Sequence, residues 1–448
     1  MLTIPPEAAP LLHEFSQAFT RPTAARATVL LFAALLTTGR RTVANLLRTA
    51  GGLAGGSSCS YRRVLSQARF NGLRVACLFS RFLIRCWLPS GPIPLAGDDT
   101  VCEHRGKKVH GKARHRDAVR SSHSYTAYRY GHKWVVLAVL VRRPWSRRPW
   151  ALPLLIALYR SPEDNRRRGR PHKTPAQLMQ LLLRTMLRWF PERSFAFAGD
   201  TGFGSHEMAR FAARRASRLR LVSRFCAAAN LYEPPPPVLG KKPAHRPRKK
   251  GAKLPSPEQV VAGAALQPLN VAWYGGGRRD VEVASGVGHW YKSGQELVPV
   301  RWVYVHDRTG THRDDYLFST DVELTAAEII EAYGGRWNIE TTFQEAREYL
   351  GLETTRGRCR STVLRAEPFL LGQYGVVAWL YEQLPAQQRA ARVCWEGKQG
   401  TTFSDALAAV RRWLWQDWAF ETGGHREAFS KLPEDLQGLL LQALAPAA

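Results

Sequence analysis

Residues 333–351 read YGGRWNIETTFQEAREYLG, a stretch with the periodicity of a helix. Its polar residues occupy a strip roughly 60° wide on a helix, and they are Tyr333, Arg336, Glu340 and Arg347. Its apolar residues repeat at the spacing of a core-facing surface, and they are Ile339, Phe343, Ala346 and Leu350. The stretch therefore predicts a helix anchored by its apolar face, with one carboxylate between two guanidiniums and a phenol at the edge of the core.

The composition is that of a strongly basic globular protein. The chain has 448 residues, of which 45% are hydrophobic, which is enough for about two or three domains with their own cores. Its 65 Lys and Arg against 36 Asp and Glu give a formal charge of +29. Such an excess attracts polyanions, and nucleic acid is the commonest of these in a cell. A GC-rich genome that favours Arg codons is the alternative explanation.

Cysteine usage and the N-terminal sequence favour a cytoplasmic protein. The seven cysteines are dispersed and form no C-x-x-C pair, which favours reduced thiols over a zinc cluster or a disulfide framework. The first residues, MLTIPPEAAPLLHEF, lack the pattern of a secretory signal. The longest apolar run, residues 27–36, is about half a membrane span and predicts a buried helix. We expect a cytoplasmic, nucleoid-associated location.

Strand and helix patterns alternate from residue 91 to residue 225. The strand-like runs are IPLAGDD (93–99), KWVVLAVLV (133–141), WALPLLIALY (150–159), SFAFAGD (194–200) and RLRLVSRF (218–225). Helical patterns lie between the last three of these runs, the first at 174–190. Three strands, helix, strand, helix, strand is the order of a ribonuclease H-like mixed sheet, so we predict an α/β fold.

The remaining patterns divide the chain into five predicted regions. These are a helical N-terminal DNA-binding region (1–90), the first part of the ribonuclease H-like catalytic core (91–225), a Pro/Lys-rich loop with a β-rich insertion (226–322), a core segment with the Glu-bearing helix (323–360) and a helical C-terminal region (361–448). In the first region, residues 42–50 and 60–70 are compatible with a helix-turn-helix. A plain helical bundle is the alternative.

Three acids stand on predicted elements that meet in such a fold. Asp98 or Asp99 ends the first strand, Asp200 ends the fourth, and Glu340 lies on the later helix. Carboxylates at neighbouring strand ends repel each other unless a cation lies between them, and oxygen ligands suit magnesium. With the third acid, the set suits two ions about 3.5–4 Å apart, which promote in-line phosphoryl displacement.

Only one of the two consecutive aspartates can point at this site, because side chains alternate between the faces of a strand. Asp98 is preferred, because Asp98-Asp99-Thr100 has the form D-x-T, and Asp99 is the alternative. On the helix, Arg336 and Arg347 suit the binding of phosphate oxygens, and Tyr333 can donate from its hydroxyl. An ordinary salt bridge between Arg336 and Glu340 is the alternative, worth only ~0.3–0.5 kcal/mol.

Taken together, these motifs resemble the DDE transposases of bacterial insertion sequences. The resemblance is to the group with the signature Y-x2-R-x3-E-x6-K and a β-rich insertion, and it covers about residues 40–355. The signature stands here with Arg at its last position in place of Lys, as Tyr333, Arg336, Glu340 and Arg347. Further matching stretches are GDDT (97–100), HRDAVRSSHSY (115–125) and AGDTGFGS (198–205).

The resemblance implies a ribonuclease H-like core that binds two Mg²⁺ or Mn²⁺ ions through Asp98, Asp200 and Glu340. It implies an enzyme that cuts double-stranded DNA at terminal inverted repeats and joins the 3′-hydroxyl ends to target DNA. A homodimer on paired ends and no membrane association are expected.

Relatives with such an insertion place an aromatic side chain against a flipped base, and Trp290, Tyr291 and Trp302 are candidates for this role. For each of the three, packing in the core of the insertion is the alternative.

Basic residues then acquire expected roles in DNA binding. Lys107, Lys108, Lys112, Arg114 and Arg116 follow the first acid and are expected to line the groove beside the metals. The loop KKPAHRPRKK (241–250) is expected to bind phosphates, with a solvated charge run as the alternative. Two other functions remain open: a catalytically inactive, domesticated protein that binds repeat ends, and a structure-selective nuclease without strand transfer.

Overall fold

The computed structural model describes residues 4–117, 120–236, 248–389, 396–398 and 400–446. Its strands are β1 (Ile93–Glu103), β2 (Ala113–Arg116), β3 (Tyr128–Val141), β4 (Trp150–Tyr159), β5 (Phe195–Gly199), β6 (Leu219–Arg224), β7 (Leu231–Tyr232), β8 (Gln267–Ala272), β9 (Arg278–Trp290), β10 (Val298–Asp307) and β11 (Asp315–Ser319).

The α-helices are α1 (Ala9–Ser16), α2 (Arg21–Leu36), α3 (Val43–Ala50), α4 (Ser58–Ser66), α5 (Gly72–Trp87), α6 (Pro162–Arg167), α7 (Pro175–Trp189), α8 (His206–Ala213), α9 (Pro257–Ala262), α10 (Ala326–Arg336), α11 (Asn338–Glu348), α12 (Arg360–Gln383), α13 (Ala386–Arg389), α14 (Phe403–Leu414), α15 (Arg426–Ser430) and α16 (Glu434–Leu444).

The centre of the fold is a mixed sheet in which β1 lies between an antiparallel and a parallel neighbour. β3 pairs antiparallel with β1 and β4, whereas β5 pairs parallel with both β1 and β6. The order β4-β3-β1-β5-β6 is that of a ribonuclease H-like sheet, and the α/β fold class is confirmed. The first and fourth predicted strands are neighbours. The prediction that Asp98 or Asp99 ends the first strand is wrong, because β1 continues to Glu103 on its pairing with β3.

The strands of the β-rich segment continue this same sheet. β11 pairs antiparallel with β6, and β10 and β9 follow in order. β9 is continuous from Arg278 to Trp290. The sheet therefore passes from the central strands into the β-rich segment without an edge between them.

Helices from both ends of the chain cover the sheet. Residues 29–36 of α2 are buried, as the apolar run predicted, and the ring of Phe32 lies 5.0 Å from that of Trp418. Near the end of α2, the guanidinium of Arg41 donates to the carbonyl oxygens of Ala34 and Tyr349. Burial, together with the charge of Arg411, lowers the pKa of Arg41 to about 9. These bonds connect the N-terminal helices to the end of α11.

Two short helices, α3 and α4, occupy the region where the sequence is compatible with a helix-turn-helix, and the 3₁₀ turn Gly51–Leu53 lies between them. Arg62 and Arg63 are exposed on α4. Within the described residues, no helix combines the length and the apolar character needed to cross a membrane.

A buried aspartate organises the turn between β10 and β11. Asp307 accepts hydrogen bonds from the backbone N–H groups of His312, at 2.9 Å, and Thr309, at 3.2 Å, and from the Arg279 guanidinium at 2.8 Å. Burial alone would raise its pKa, but these bonds and those from the hydroxyls of Thr309 and Thr311 outweigh burial and hold the pKa well below the ordinary value.

Replacement of Asp307 with Asn removes these charge-assisted bonds. We expect the free energy of unfolding at pH 7 to fall by about 2 kcal/mol. Because the pKa of Asp307 is lower in the folded than in the unfolded chain, its contribution is complete above about pH 4 and is lost as the pH falls further. The difference between wild type and variant should therefore shrink between pH 7 and pH 3, as measured by urea denaturation. The exposed Glu323→Gln is the control; a difference that stays constant across this range would contradict the assignment.

Candidate active site

Asp98 and Asp200 lie side by side because of the register between β1 and β5. Gly97 pairs with Gly199 in the parallel ladder, and each glycine is followed directly by an aspartate. The side chains of Phe197 and Met179 leave no room for a Cβ at Gly97, and Phe203 leaves none at Gly199. The glycines thus permit close packing directly before the two aspartates.

The backbone at Asp200 is fixed from the next strand. The Ser223 hydroxyl on β6 donates to the carbonyl oxygens of Gly199, at 2.9 Å, and Asp200, at 3.1 Å. The Asp200 carbonyl also accepts the Phe203 N–H at 2.7 Å, at the start of a 3₁₀ turn. Asp200 is therefore held in place by strands on one side and a turn on the other.

Arg336 joins the first acid to the third. Its Nη1 donates to Asp98 Oδ2 at 3.1 Å, and its Nη2 donates to Glu340 Oε1 at 2.7 Å. The Asp98 side chain is 16% exposed and that of Glu340 is 45% exposed. A single guanidinium thus connects two acids that are 242 residues apart in the sequence and links Glu340 to the central strand β1.

Negative charge accumulates where Asp98, Asp99 and Asp200 lie close together. Burial and the neighbouring charges of Asp200 and Asp99 raise the pKa of Asp98 to about 7, against the opposing effect of Arg336. Burial alone would lower the pKa of Arg336, but the charges of Asp98 and Glu340 raise it above its ordinary value. The single positive charge of Arg336 therefore offsets only part of the negative charge at the site.

The helix predicted for residues 333–351 is interrupted at Trp337. α10 ends at Arg336 and α11 begins at Asn338, so the polar strip is divided between two helices. The Trp337 N–H bonds to the carbonyl of Gly334 at 3.2 Å, as in a tighter turn, and the Asn338 side chain donates to the carbonyl of Gly335. The glycine pair, with its low helix propensity, accounts for the break.

The predicted apolar face of this stretch is confirmed as core, because its four residues are all buried: Ile339, Phe343, Ala346 and Leu350. Tyr333 is also buried, at 3% exposure, and its contact with DNA stays a prediction. Its ring lies 5.4 Å from the Arg336 guanidinium and 5.8 Å from that of Arg224. Tyr333 therefore supports the arginines from behind.

Arg347 lies against β1, two residues beyond Asp98. Its guanidinium donates to the Thr100 hydroxyl and, at 2.9 Å, to Glu353. In this arrangement it braces α11 against β1, and part of its bonding capacity is already used by protein groups.

Asp99, the alternative first acid, is directed elsewhere. Lys133 on β3 forms an ion pair with Asp99 at 2.9 Å, whereas Asp98 is bonded to Arg336. The alternation of the strand thus separates the two consecutive carboxylates, one toward α10 and one toward Lys133.

The helix that carries Glu340 is anchored by a buried polar network. Arg148, before β4, donates to both carboxylate oxygens of Glu345 at 2.9 and 3.0 Å, and the Tyr374 hydroxyl donates to the same carboxylate at 2.6 Å. Tyr374 stacks on Phe403 with ring centroids 4.1 Å apart. The network fixes α11 to the sheet and to α12 and so determines where Glu340 stands.

The oxygen ligands at this site suit divalent ions only in part of their arrangement. In the part of the chain that the structure describes, no group of three or more His, Cys, Asp or Glu side chains is arranged to hold a metal ion. The guanidinium of Arg336 takes one oxygen of Asp98 and one of Glu340, and its buried Nε has no hydrogen-bond partner among the described residues. Asp98 and Asp200 supply hard oxygen ligands of the kind that Mg²⁺ and Mn²⁺ prefer, so the residues fit these ions in chemistry. Glu340 is exposed enough to turn toward such an ion.

The aromatic side chains beside this group come from places that the sequence did not indicate. Tyr274 has its pKa raised, first by burial and also by the charge of Asp315, while Arg336 and Arg224 act in the opposite direction. Its ring contacts that of Trp337 at 6.2 Å. Tyr274 and Arg224 also line a cavity of about 110 Å³. The sequence indicated that an aromatic residue of the β-rich segment could lie near the acids. Only the fold of this segment shows that this residue is Tyr274.

The aromatic residues named from the sequence pack elsewhere. Trp302 is 2% exposed, and Trp290 packs its ring against those of Phe225 and Phe318. Tyr291 is half-buried and lies under the Lys250 ammonium at 4.5 Å. For Trp302 and Trp290, packing in the core is therefore the observed arrangement.

The basic residues expected beside the acids lie beyond the far end of β1. Lys107 and Lys108 are exposed between β1 and β2, and Arg114 is exposed on β2. Lys112 is half-buried, and its Nζ donates to the carbonyl of Gly106 at 2.9 Å. Because Asp98 is five residues before the end of β1, these side chains are about 16 Å or more along the sheet from it.

Parts of two basic motifs fall outside the described residues. Of the loop 241–250, only residues 248–250 are described, and of the stretch 115–125, residues 118 and 119 are not.

Comparison with known proteins gives a family match and distant structural likenesses. The family model described as "DDE superfamily endonuclease" matches residues 14–280. No curated protein matches the sequence. Among solved structures, the cryo-EM structure of a piggyBac transposase synaptic complex with hairpin DNA aligns with 95% of this chain and 77% of that one, at 10% identity and a TM-score of 0.41.

Arg148→Met breaks the network that anchors α11 and leaves the Glu345 carboxylate buried without its guanidinium. We expect the free energy of unfolding to fall by about 3 kcal/mol or more, as measured by denaturant titration. The double variant Arg148→Met/Glu345→Leu removes both charges and should cost less than the single one. A single variant as stable as wild type would show that the network does not hold α11.

Proposed function

Because the chain belongs to the DDE superfamily endonuclease family, we propose that it is the transposase of a bacterial insertion sequence, of the group with the Tyr-Arg-Glu-Lys signature. In this proposal the protein binds terminal inverted repeats, cleaves the DNA ends and joins the freed 3′-hydroxyl ends to target DNA. It works as a homodimer on paired ends.

The observation that carries this proposal is the position of the three acids. The Gly97–Gly199 register places Asp98 beside Asp200, and Arg336 brings Glu340 to Asp98. Such a group of buried carboxylates has little use in stability, since burial already raises the pKa of Asp98 to about 7. It suits the binding of divalent cations together with phosphate.

The proposed ligands of two Mg²⁺ or Mn²⁺ ions are Asp98, Asp200 and Glu340. When bound, the ions supply positive charge that activates an attacking oxygen and stabilises a leaving one. Without the ions, Arg336 offsets part of the charge of Asp98 and Glu340, and once released it can donate to two non-bridging phosphate oxygens as a bidentate donor. Tyr333, behind Arg336, orients its guanidinium.

The DNA path in this proposal follows the positive charge. Arg224, next to the acids, is held by Asp315 at 2.8 Å and faces the Tyr333 ring. Lys107, Lys108, Lys112 and Arg114 contact the phosphate backbone at the far end of β1, so this part of the binding should weaken steeply with salt. Tyr274 and Trp337 are placed to contact a base that leaves the helix beside Glu340.

One observation favours the alternative of a catalytically inactive protein that binds repeat ends. Arg336 occupies oxygens of both Asp98 and Glu340, as a permanent internal cation would in a site that no longer binds metal. The two functions differ in one measurable property, the cleavage of DNA in the presence of a divalent ion.

Glu340→Gln is the variant that tests the active function. With a plasmid that carries the sequences flanking the gene, we expect wild type to cleave in Mg²⁺ or Mn²⁺ and not in EDTA. The variant should lose cleavage by at least about a hundredfold and retain DNA binding, because it keeps the shape of the side chain but loses the charged ligand. Strand-resolved gel analysis measures cleavage, and fluorescence anisotropy measures binding.

The matched control is Glu348→Gln, an exposed carboxylate two turns further along α11. It should cleave as wild type does. If Glu340→Gln still cleaves, the ligand assignment is wrong. If wild type binds the DNA and never cleaves it with either ion, the inactive alternative holds.

Asp98 and Asp99 can be separated in the same assay. We expect Asp98→Asn to lose cleavage as Glu340→Gln does. Asp99→Asn should retain most of it, because the structure directs Asp99 to Lys133. The reverse result would assign the role of metal ligand to Asp99 in place of Asp98. The measurement is again strand-resolved cleavage, compared between variants of equal stability.

A further inference from the structure

A two-stranded ribbon at the end of the sheet presents tyrosines and arginines to solvent. β2 pairs with the first residues of β3, so that Arg114 is opposite Tyr130 and Arg116 is opposite Tyr128. Strand alternation puts these four side chains on one face, and all four are exposed. The rings of Tyr128 and Tyr130 are 47% and 57% exposed, an unusual state for large apolar groups side by side.

The loop between the two strands adds a third exposed ring. Tyr125 is 66% exposed. A tight turn holds it there, because the Ser122 N–H donates to the Tyr125 carbonyl at 2.8 Å and the Tyr125 N–H donates to the Ser122 hydroxyl at 3.2 Å. The aromatic surface is therefore supported by backbone hydrogen bonds.

The charge of the ribbon is positive on its exposed face. The Arg114 guanidinium lies 4.1 Å from the centre of the Tyr128 ring. On the opposite face, Arg129 holds the carboxylates of Glu103, at 2.9 Å, and Asp117, at 3.5 Å. Cations and rings thus alternate on the outer face, while the neighbouring acids are neutralised from behind.

We propose that this face, the ribbon platform of Arg114, Arg116, Tyr128 and Tyr130, binds unpaired nucleotides of DNA. Bases stack on the tyrosine rings, and the arginines hold the adjacent phosphates. The inference rests on the proposed function in that the protein acts on DNA ends, and it adds a site for single-stranded DNA outside the group of acids. An intact duplex hides its base faces, so it gains from the arginines but not from the rings.

The place of the platform fits a strand that continues from the acids. Tyr130 lies six residues along β3 from Val136, the cross-strand partner of Asp98. At roughly 3.3 Å per residue this is about 20 Å, the length of about six stacked nucleotides. Along this line α12 covers the sheet, because His132 and Trp134 are buried against its Glu367. A strand released near Asp98 therefore passes around α12 and needs more than six nucleotides to reach the platform.

Binding of labelled oligonucleotides to the full-length protein tests the platform. The probes are a fluorescein-labelled 20-nucleotide oligothymidylate and a labelled 20-base-pair duplex, both in EDTA so that no cleavage occurs. We expect Tyr128→Ala/Tyr130→Ala to weaken oligothymidylate binding by about tenfold or more and duplex binding by less than about threefold. Tyr128→Phe/Tyr130→Phe should bind the oligothymidylate as wild type does, because Phe keeps the ring and loses only the hydroxyl.

The control is Leu181→Ala, an exposed apolar residue on α7, which should bind both probes normally. If the Ala variant loses as much affinity for the duplex as for the oligothymidylate, the tyrosine rings do not stack on bases. If the Phe variant loses as much affinity as the Ala variant, the contact is made by the hydroxyls and not by the rings. Normal oligothymidylate binding by the Ala variant would also contradict the proposal. This is the result expected if a partner subunit covers the platform.

Metal-dependent plasmid cleavage by wild type is measured separately. A failure of the proposed function, with cleavage absent, is therefore distinct from a failure of the platform, with cleavage present and the Ala variant binding normally.

Discussion

The structure depends on the charge balance around Arg336. Asp98 lies beside Asp200 where β5 ends, and Arg336 is bonded to both Asp98 and Glu340. A buried carboxylate is stable as an anion only with a cation nearby. In the protein without bound metal ions, the Arg336 guanidinium provides that charge. The same residue holds α10 and α11 against β1, so folding and the assembly of the site use one interaction.

Two features support this interaction: close packing at glycines on the strand side, and a buried polar network on the helix side. Gly97 and Gly199 allow the strands to pass close to Phe197 and Phe203, which places the aspartates at equal heights. On the helix side, the buried Glu345 fixes α11 through Arg148 and Tyr374. The acids are thus positioned by packing below and by a polar network beside them, and each is independent of the other.

Much of this was accessible from the sequence, and the remainder was not for physical reasons. Periodicity of strands and helices is local, so the order of elements and the buried face with Ile339 and Phe343 were predicted correctly. The break at Trp337 depends on two glycines whose effect a periodic pattern does not register. The bond from Arg336 to Asp98 spans 238 residues and depends on sheet register, which no local pattern contains. The place of Tyr274 beside the acids required the path of the β-rich segment.

The continuity of the sheet has a mechanical meaning. β6 is hydrogen-bonded to β5 on one side and to β11 on the other, and its Ser223 grips the backbone of Asp200 while pairing with Phe318 across the ladder. The β-rich segment therefore has a direct hydrogen-bonded connection to the backbone of Asp200, through β11 and β6. We expect a shift of the β-rich segment to move the Asp200 backbone with it.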